Sequence, residues 1–172
     1  KRLDKINSMR QSKSACFMNI LFGGTMNNIF QTSKSTSTEE IEKIKKVINN
    51  AKDISDGCGN TTDWTTNLNK AFIDFAHSKK FKVYSKTRGS DWTEWLYDIT
   101  ICKQTDDCID ETYLVAESEW SMYREDIWYD FQKLLLCNSK YKVMIFQQKT
   151  ADDRKKMFAD MRKQIESYIN ME

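Results

Sequence analysis

The sequence predicts an α/β fold in which a central mixed four-stranded sheet is flanked by helices, preceded by an N-terminal helical extension. A helical stripe of apolar residues from Trp64 to Ala76 is followed by three segments that read as strands. A second helical stripe then leads to Tyr141–Phe146, a run that is apolar apart from Lys142 and is typical of a strand covered on both faces. The predicted order of the core is therefore αβββαβ.

The N-terminal extension, residues 1–55, is the least readable part of the chain. Residues Ala15–Phe22 are apolar enough for either a strand or a helix, and a glycine pair ends the segment in both cases. Ser37 followed by Glu40 is typical of a capping box. Apolar residues then recur at helical spacing, so we expect an amphipathic helix over residues 38–52.

The core, residues 62–147, opens with the amphipathic helix, for which Thr62 or Asp63 is the expected cap. A polar loop at Gln104–Asp110 is expected to join the second and third strands as a hairpin. The three strands are predicted at Phe81–Lys86, Thr93–Cys102 and Thr112–Glu117.

The second part of the core is a helix over residues 125–138 and the strand at Tyr141–Phe146. Because a helix here connects two strands of one sheet, the crossover should be right-handed and the fourth strand parallel to its neighbour. A closing helix over residues 151–169, within the segment 150–170, completes what we expect to be a single domain, 1–172.

Composition narrows the class of protein. The net charge is +2, so nucleic-acid binding would need a local basic patch. No apolar run is long enough for a membrane span, and the basic, polar start is unlike a signal peptide, so we expect a cytoplasmic protein that does not bind membranes. Five scattered cysteines and the single His77 argue against a zinc site or a disulfide scaffold and favour reduced thiols.

Three carboxylates stand out against the apolar strands. Asp98 lies within the second predicted strand, while Glu117 and Glu119 end the third and share one face because they are two residues apart. Each acid alone could occupy a solvated strand end. Together, across a hairpin, Asp98 and Glu117 would repel each other unless a cation lay between them.

Lys133 admits two interpretations. On a helical wheel it lies opposite the core stripe of its helix, which predicts a solvent-facing lysine. The opposite face nevertheless carries Tyr129, Leu136 and Cys137, and a helix that is apolar nearly all round is buried. A buried lysine would need an anionic partner.

The pattern of Asp98 on one strand, Glu-x-Glu on the next and a helix bearing lysine resembles the PD-(D/E)XK nuclease superfamily, whose restriction-endonuclease-like core has the order αβββαβ. Asp98 matches the first acid of the family motif and Glu117 the second. Glu119 stands where lysine is usual, as in some restriction enzymes. Lys133, in DFQKLL, matches members whose lysine has moved to the following helix.

The resemblance implies a metal-dependent endonuclease that hydrolyses DNA phosphodiester bonds in restriction, defence or repair, with Mg²⁺ (or Mn²⁺) as cofactor. Asp98, Glu117 and the backbone carbonyl of Ser118 would hold the metal, as hard oxygen donors do. Either Glu119 or Lys133 would orient or deprotonate the attacking water.

The partner implied is DNA, and a homodimer is left open. The expected phosphate contacts lie in the basic run around the first strand, at Lys82, Lys86 and Arg88, although such a run is also typical of a solvated face. The alternative is a catalytically inactive nuclease-fold module that binds nucleic acid or a protein partner, since a fold alone does not establish activity.

Overall fold

The computed structural model describes residues 18–23, 34–55 and 60–169. Two of the five cysteines that we expect to be reduced thiols, Cys16 and Cys58, lie outside these residues. The helices and strands, in chain order, are β1 (Met18–Gly23), α1 (Lys34–Ser55), α2 (Thr61–Ser78), β2 (Lys82–Ser85), β3 (Ile99–Thr105), β4 (Cys108–Glu119), α3 (Arg124–Leu136), β5 (Tyr141–Phe146) and α4 (Ala151–Ile169).

The strands form one mixed sheet in the order β1-β5-β4-β3-β2. The predicted mixed sheet of four strands, β2 to β5, is present, and β5 runs parallel to β4 as expected after a helical crossover. The N-terminal extension was expected to be helical overall, but it also contributes a fifth strand, Met18–Gly23, antiparallel to β5. A strand was one of the two structures that the sequence left open for Ala15–Phe22. A short apolar run has no decisive periodicity, and here the unpaired edge of β5 decides its structure.

The hairpin between β3 and β4 is tighter than predicted. Only Asp106 and Asp107 separate the strands, and Asp106 takes a positive φ of 55°, which aspartate tolerates. The β3–β4 pairing extends into the polar residues next to the turn. Some of these side chains contact each other across the two strands, for example through the hydrogen bond of 2.7 Å from Thr105 Oγ1 to Asp110 Oδ2. The predicted loop at Gln104–Asp110 is therefore mostly strand. β3 itself begins at Ile99 rather than at Thr93.

The helix caps also differ from the prediction. Asn60, not Thr62 or Asp63, caps α2, and its side-chain oxygen accepts a hydrogen bond of 2.9 Å from the Asp63 backbone N–H. α1 begins at Lys34, before the capping position predicted at Ser37. Residues that cap helices are also common in turns. The apolar periodicity therefore predicted where each helix lies more accurately than the residue at which it begins.

The sheet separates two hydrophobic cores. α1 and α2 pack on one face with Leu114 and Ala116 of β4, while α3 and α4 pack on the other face with Val115. Since side chains alternate along a strand, Glu117 projects to the α3 side. This alternation places a buried acid beneath a helix that carries a lysine.

Candidate active site at the end of β4

Asp98 and Glu117 are brought together by the pairing of β3 with β4. Ile99 lies opposite Ala116, so Asp98, one residue before β3, faces Glu117. The backbone nitrogen of Asp98 lies 3.4 Å from Glu117 Oε2. These two acids, which the sequence assigned to one site, are therefore cross-strand neighbours.

Ser118 holds the Asp98 side chain in place. Its backbone N–H and its hydroxyl both donate to Asp98 Oδ2, at 2.9 and 2.7 Å. Two charge-assisted hydrogen bonds to one oxygen orient the carboxylate strongly. Ser118 was predicted to act through its backbone carbonyl, whereas the contacts observed with Asp98 come from its two donors.

Glu117 is a buried carboxylate with only 3% of its surface exposed. Its Oε1 forms an ion pair with Lys133 Nζ. Burial raises the pKa of Glu117 to about 7; the hydrogen bond from Lys133 opposes this shift, and the charges of Asp98 and Asp130 add to it. Glu117 is thus a carboxyl group whose charge is costly unless a cation is near.

Lys133 points into the site, which decides between the two interpretations that its helical position allowed. Its ammonium contacts Glu117 and lies 3.2 Å from Asp130 Oδ1, and it lies 5.8 Å from the ring centroids of Tyr97 and Tyr129. Burial opposes its charge, but the hydrogen bond with Glu117 and the charges of both acids outweigh burial and raise the pKa of Lys133. The lysine is therefore a fixed positive charge.

Asp130 is a member of this cluster that the sequence analysis missed. It lies one helical turn before Lys133, a spacing that places the two side chains together on α3. Burial raises its pKa, and so does the charge of Asp98, while Lys133 lowers it. The i, i+3 spacing from Lys133 was the available signal, but it is equally typical of a solvated ion pair.

Glu119 takes a local role. Its Oε1 accepts a hydrogen bond from the backbone N–H of Ser121, just beyond the end of β4. Among the residues that the structure describes, no hydrogen bond or ion pair joins Glu119 to Asp98, Glu117 or Lys133.

The donor chemistry of the cluster suits a hard divalent cation. Asp98, Glu117 and Asp130 offer three carboxylates against the single ammonium of Lys133, so negative charge is in excess. Within residues 18–23, 34–55 and 60–169, no three or more His, Cys, Asp or Glu side chains are arranged as a ready-made metal site. Mg²⁺ often binds proteins through only one or two carboxylates and completes its shell with water, so Asp98 and Glu117 are the residues that could hold such an ion.

A cleft of about 740 Å³ opens beside Asp98. We call it the α2 cleft, because the N-terminal half of α2 forms one wall and the β2–β3 connection forms another. Asp98 and Trp120 also line it, so the acid cluster and the cleft share a wall. The other lining residues that matter below are Thr65, Asn69, Lys70, Lys86, Thr87 and Arg88.

The three predicted phosphate-binding residues are not equivalent. Lys82 is paired with Asp91 at 2.9 Å and is not part of the cleft wall. Lys86 lines the cleft but is paired with Glu94 at 2.8 Å. Arg88 lines the cleft and forms no ion pair with any residue that the structure describes, and the same holds for Lys70, which the sequence analysis did not select.

Comparisons of the chain with models of known protein families, with curated proteins and with solved structures found no match. No helix in the described ranges has both the length and the apolar character that crossing a bilayer requires.

Proposed function

We propose that this protein is a metal-dependent endonuclease that hydrolyses phosphodiester bonds in DNA, with a role in restriction, defence or repair. The observation that carries the proposal is the pairing of Asp98 with Glu117 beside Lys133, on the wall of a cleft that presents cations. Paired acids that can hold a metal ion, with a lysine beside them, are residue types that suit metal-dependent phosphodiester hydrolysis.

In this proposal Asp98 and Glu117 hold a Mg²⁺ (or Mn²⁺) ion, which when bound would neutralise phosphate charge and acidify a water molecule. Ser118 keeps Asp98 oriented through its two hydrogen bonds. Lys133 positions Glu117 and places positive charge where negative charge grows on the phosphate in the transition state. The attacking water would be oriented by Lys133 or would give its proton to Glu119, whose side chain accepts a hydrogen bond from the Ser121 backbone N–H in this structure.

The test is cleavage of supercoiled plasmid and circular single-stranded DNA with Mg²⁺, with Mn²⁺ and with EDTA. We expect cleavage with either metal and none with EDTA. Asp98→Asn should abolish it, whereas the matched control Asp107→Asn, in the turn at the opposite end of β3, should retain it. Equal activity of both variants, or cleavage that persists in EDTA, would exclude the proposed site.

One observation favours the alternative, an inactive nuclease-fold module. In the Glu117–Lys133 ion pair, the lysine already neutralises the charge of one of the two proposed metal ligands, so Glu117 does not need a metal ion. A module of this kind would bind DNA equally with or without divalent metal and cleave it under neither condition, and Asp98→Asn would not weaken that binding.

A further inference from the structure

We propose that the α2 cleft binds the base of an unpaired nucleotide, so that the substrate class of the enzyme is single-stranded or locally opened nucleic acid. This inference rests on the proposed function for its choice of ligand, and its geometry comes from the cleft alone. It adds a base-binding subsite next to the acid cluster.

Asn69 is the main observation. It is 3% exposed, and its side-chain N–H donates to Thr87 Oγ1 at 3.0 Å, while its side-chain oxygen has no hydrogen-bond partner. Both residues line the cleft. A buried amide with an unused acceptor is unfavourable unless a water molecule or a ligand supplies the missing donor. Nucleobases carry such N–H donors on their edges.

Trp120 adds an aromatic side chain to the lining of the cleft. The Trp120 indole N–H donates to Thr65 Oγ1 at 2.6 Å, and its ring lies 5.9 Å from that of Trp64, centroid to centroid. These contacts hold the indole in place beside the cleft. Bases stack on fixed aromatic side chains in proteins that bind single strands.

The charges of the cleft suit the phosphate that accompanies a base. Lys70 and Arg88 are exposed on its walls and are not neutralised by any acid in the part of the chain that the structure describes. Asp98 lies on the same lining, so a nucleotide in the cleft would bring its phosphate next to the acid cluster. A base stacked in an intact duplex could not enter, because it would first have to leave the helix.

The experiment measures binding of fluorescein-labelled oligonucleotides of about 12 nucleotides to the full chain in EDTA. Three ligands of one length are compared: a single strand, the same strand annealed as a duplex, and a strand whose bases are replaced by abasic sites. The proteins are the parent, Asn69→Ala and the control Asn138→Ala, which changes an exposed asparagine that does not line the cleft.

We expect the parent to bind the single strand about tenfold more tightly than the abasic strand, and more tightly than the duplex. Asn69→Ala should lose that tenfold difference and bind both strands as the parent binds the abasic one, whereas Asn138→Ala should behave like the parent. Comparing ligands within each variant removes the effect of any change in folding. Equal binding of the single and abasic strands by the parent would overturn the inference.

The two proposals fail separately. If Asp98→Asn abolishes metal-dependent cleavage but the parent binds the single and abasic strands equally, the proposed enzyme activity is supported and the proposed base-binding subsite is wrong. If the parent binds the single strand more tightly than the abasic strand but never cleaves DNA, the base-binding subsite is supported in a protein that only binds, and the proposed enzyme activity is wrong.

Discussion

Glu117 is held between two opposing electrostatic effects. Burial and the nearby Asp98 and Asp130 disfavour its charge, and Lys133 favours it. An acid in this position is stabilised by any cation that approaches it, whether lysine or metal. Under the proposed function, Glu117 would contribute to stability in the metal-free protein and would be a metal ligand when the ion is bound.

Replacing Lys133 by methionine should lower the free energy of unfolding by about 1–3 kcal/mol, because Glu117 would remain buried without its partner. Adding Glu117→Gln should restore most of that loss, since the uncompensated charge is then removed. Urea unfolding of the single and double variants measures the coupling. Lys155→Met, which changes an exposed lysine, is the control, and a double variant as unstable as Lys133→Met would contradict this account.

Ser118→Ala removes the hydroxyl donor to Asp98 and keeps the backbone donor. We expect the cleavage rate to fall about tenfold or more while DNA affinity is unchanged, because a hydrogen bond to a charged group is worth about 1.5–3 kcal/mol. Ser118→Thr, which retains a hydroxyl, should recover part of the rate. A parallel loss of rate and affinity in Ser118→Ala would indicate a general structural defect instead.

At the scale of elements, Glu40 ties α1 to two other parts of the fold. Its Oε2 accepts hydrogen bonds from the Tyr113 hydroxyl of β4, at 2.6 Å, and from Lys79 at the end of α2, at 2.9 Å. Burial alone would raise the pKa of Glu40, but these hydrogen bonds, with one from Lys43, lower it to about 2. The docking of α1 is therefore linked to pH.

The sign of that dependence follows from the lowered pKa. The stabilisation by Glu40 is complete above its ordinary pKa of 4.5 and is lost as the pH falls toward about 2. The difference in unfolding free energy between the parent and Glu40→Gln should be largest near neutral pH and shrink below pH 4.5. Urea unfolding across this range tests it, with the exposed neighbour changed in Glu39→Gln as control. A difference that stays constant with pH would refute the link.

At the scale of the whole molecule, the net charge is only +2, so the proposed DNA binding would depend on local cations. The structure distinguishes Lys82, which Asp91 neutralises, from Lys70 and Arg88 on the cleft wall. Contact with phosphate releases counterions, so only cations that reach the bound strand contribute to the salt dependence of binding.

We therefore expect Lys70→Gln with Arg88→Gln to flatten the slope of log affinity against log salt by about 0.7 per lost contact on single strands. Lys82→Gln should leave the slope unchanged. Fluorescence anisotropy titrations over a range of NaCl concentrations measure both variants. If Lys82→Gln alone flattened the slope, the bound DNA strand would contact Lys82, outside the cleft, and not the cations of the cleft wall.

Much of the fold was predictable because local patterns carry it. The limits of β5 and α4 agree with the prediction, since a run that is apolar apart from Lys142 and a long amphipathic stripe are strong signals. The fifth strand was not predictable from Met18–Gly23 alone, because its structure depends on an edge of β5 more than a hundred residues later in the chain. The hairpin was misjudged because its polar residues pair across strands rather than forming a loop.

The sequence by itself determined the order of the core elements and indicated that Asp98 and Glu117 would face each other across a hairpin, because strand alternation and hairpin pairing are local properties. Only the tertiary structure decided that Lys133 meets Glu117 and that Asn69 is buried with an unused acceptor in the cleft that Asp98 also lines. The physical reason is that helical periodicity gives a side chain's direction about its own axis. How the helix is rotated about that axis, and so which of its sides faces the sheet, depends on the packing of the whole core.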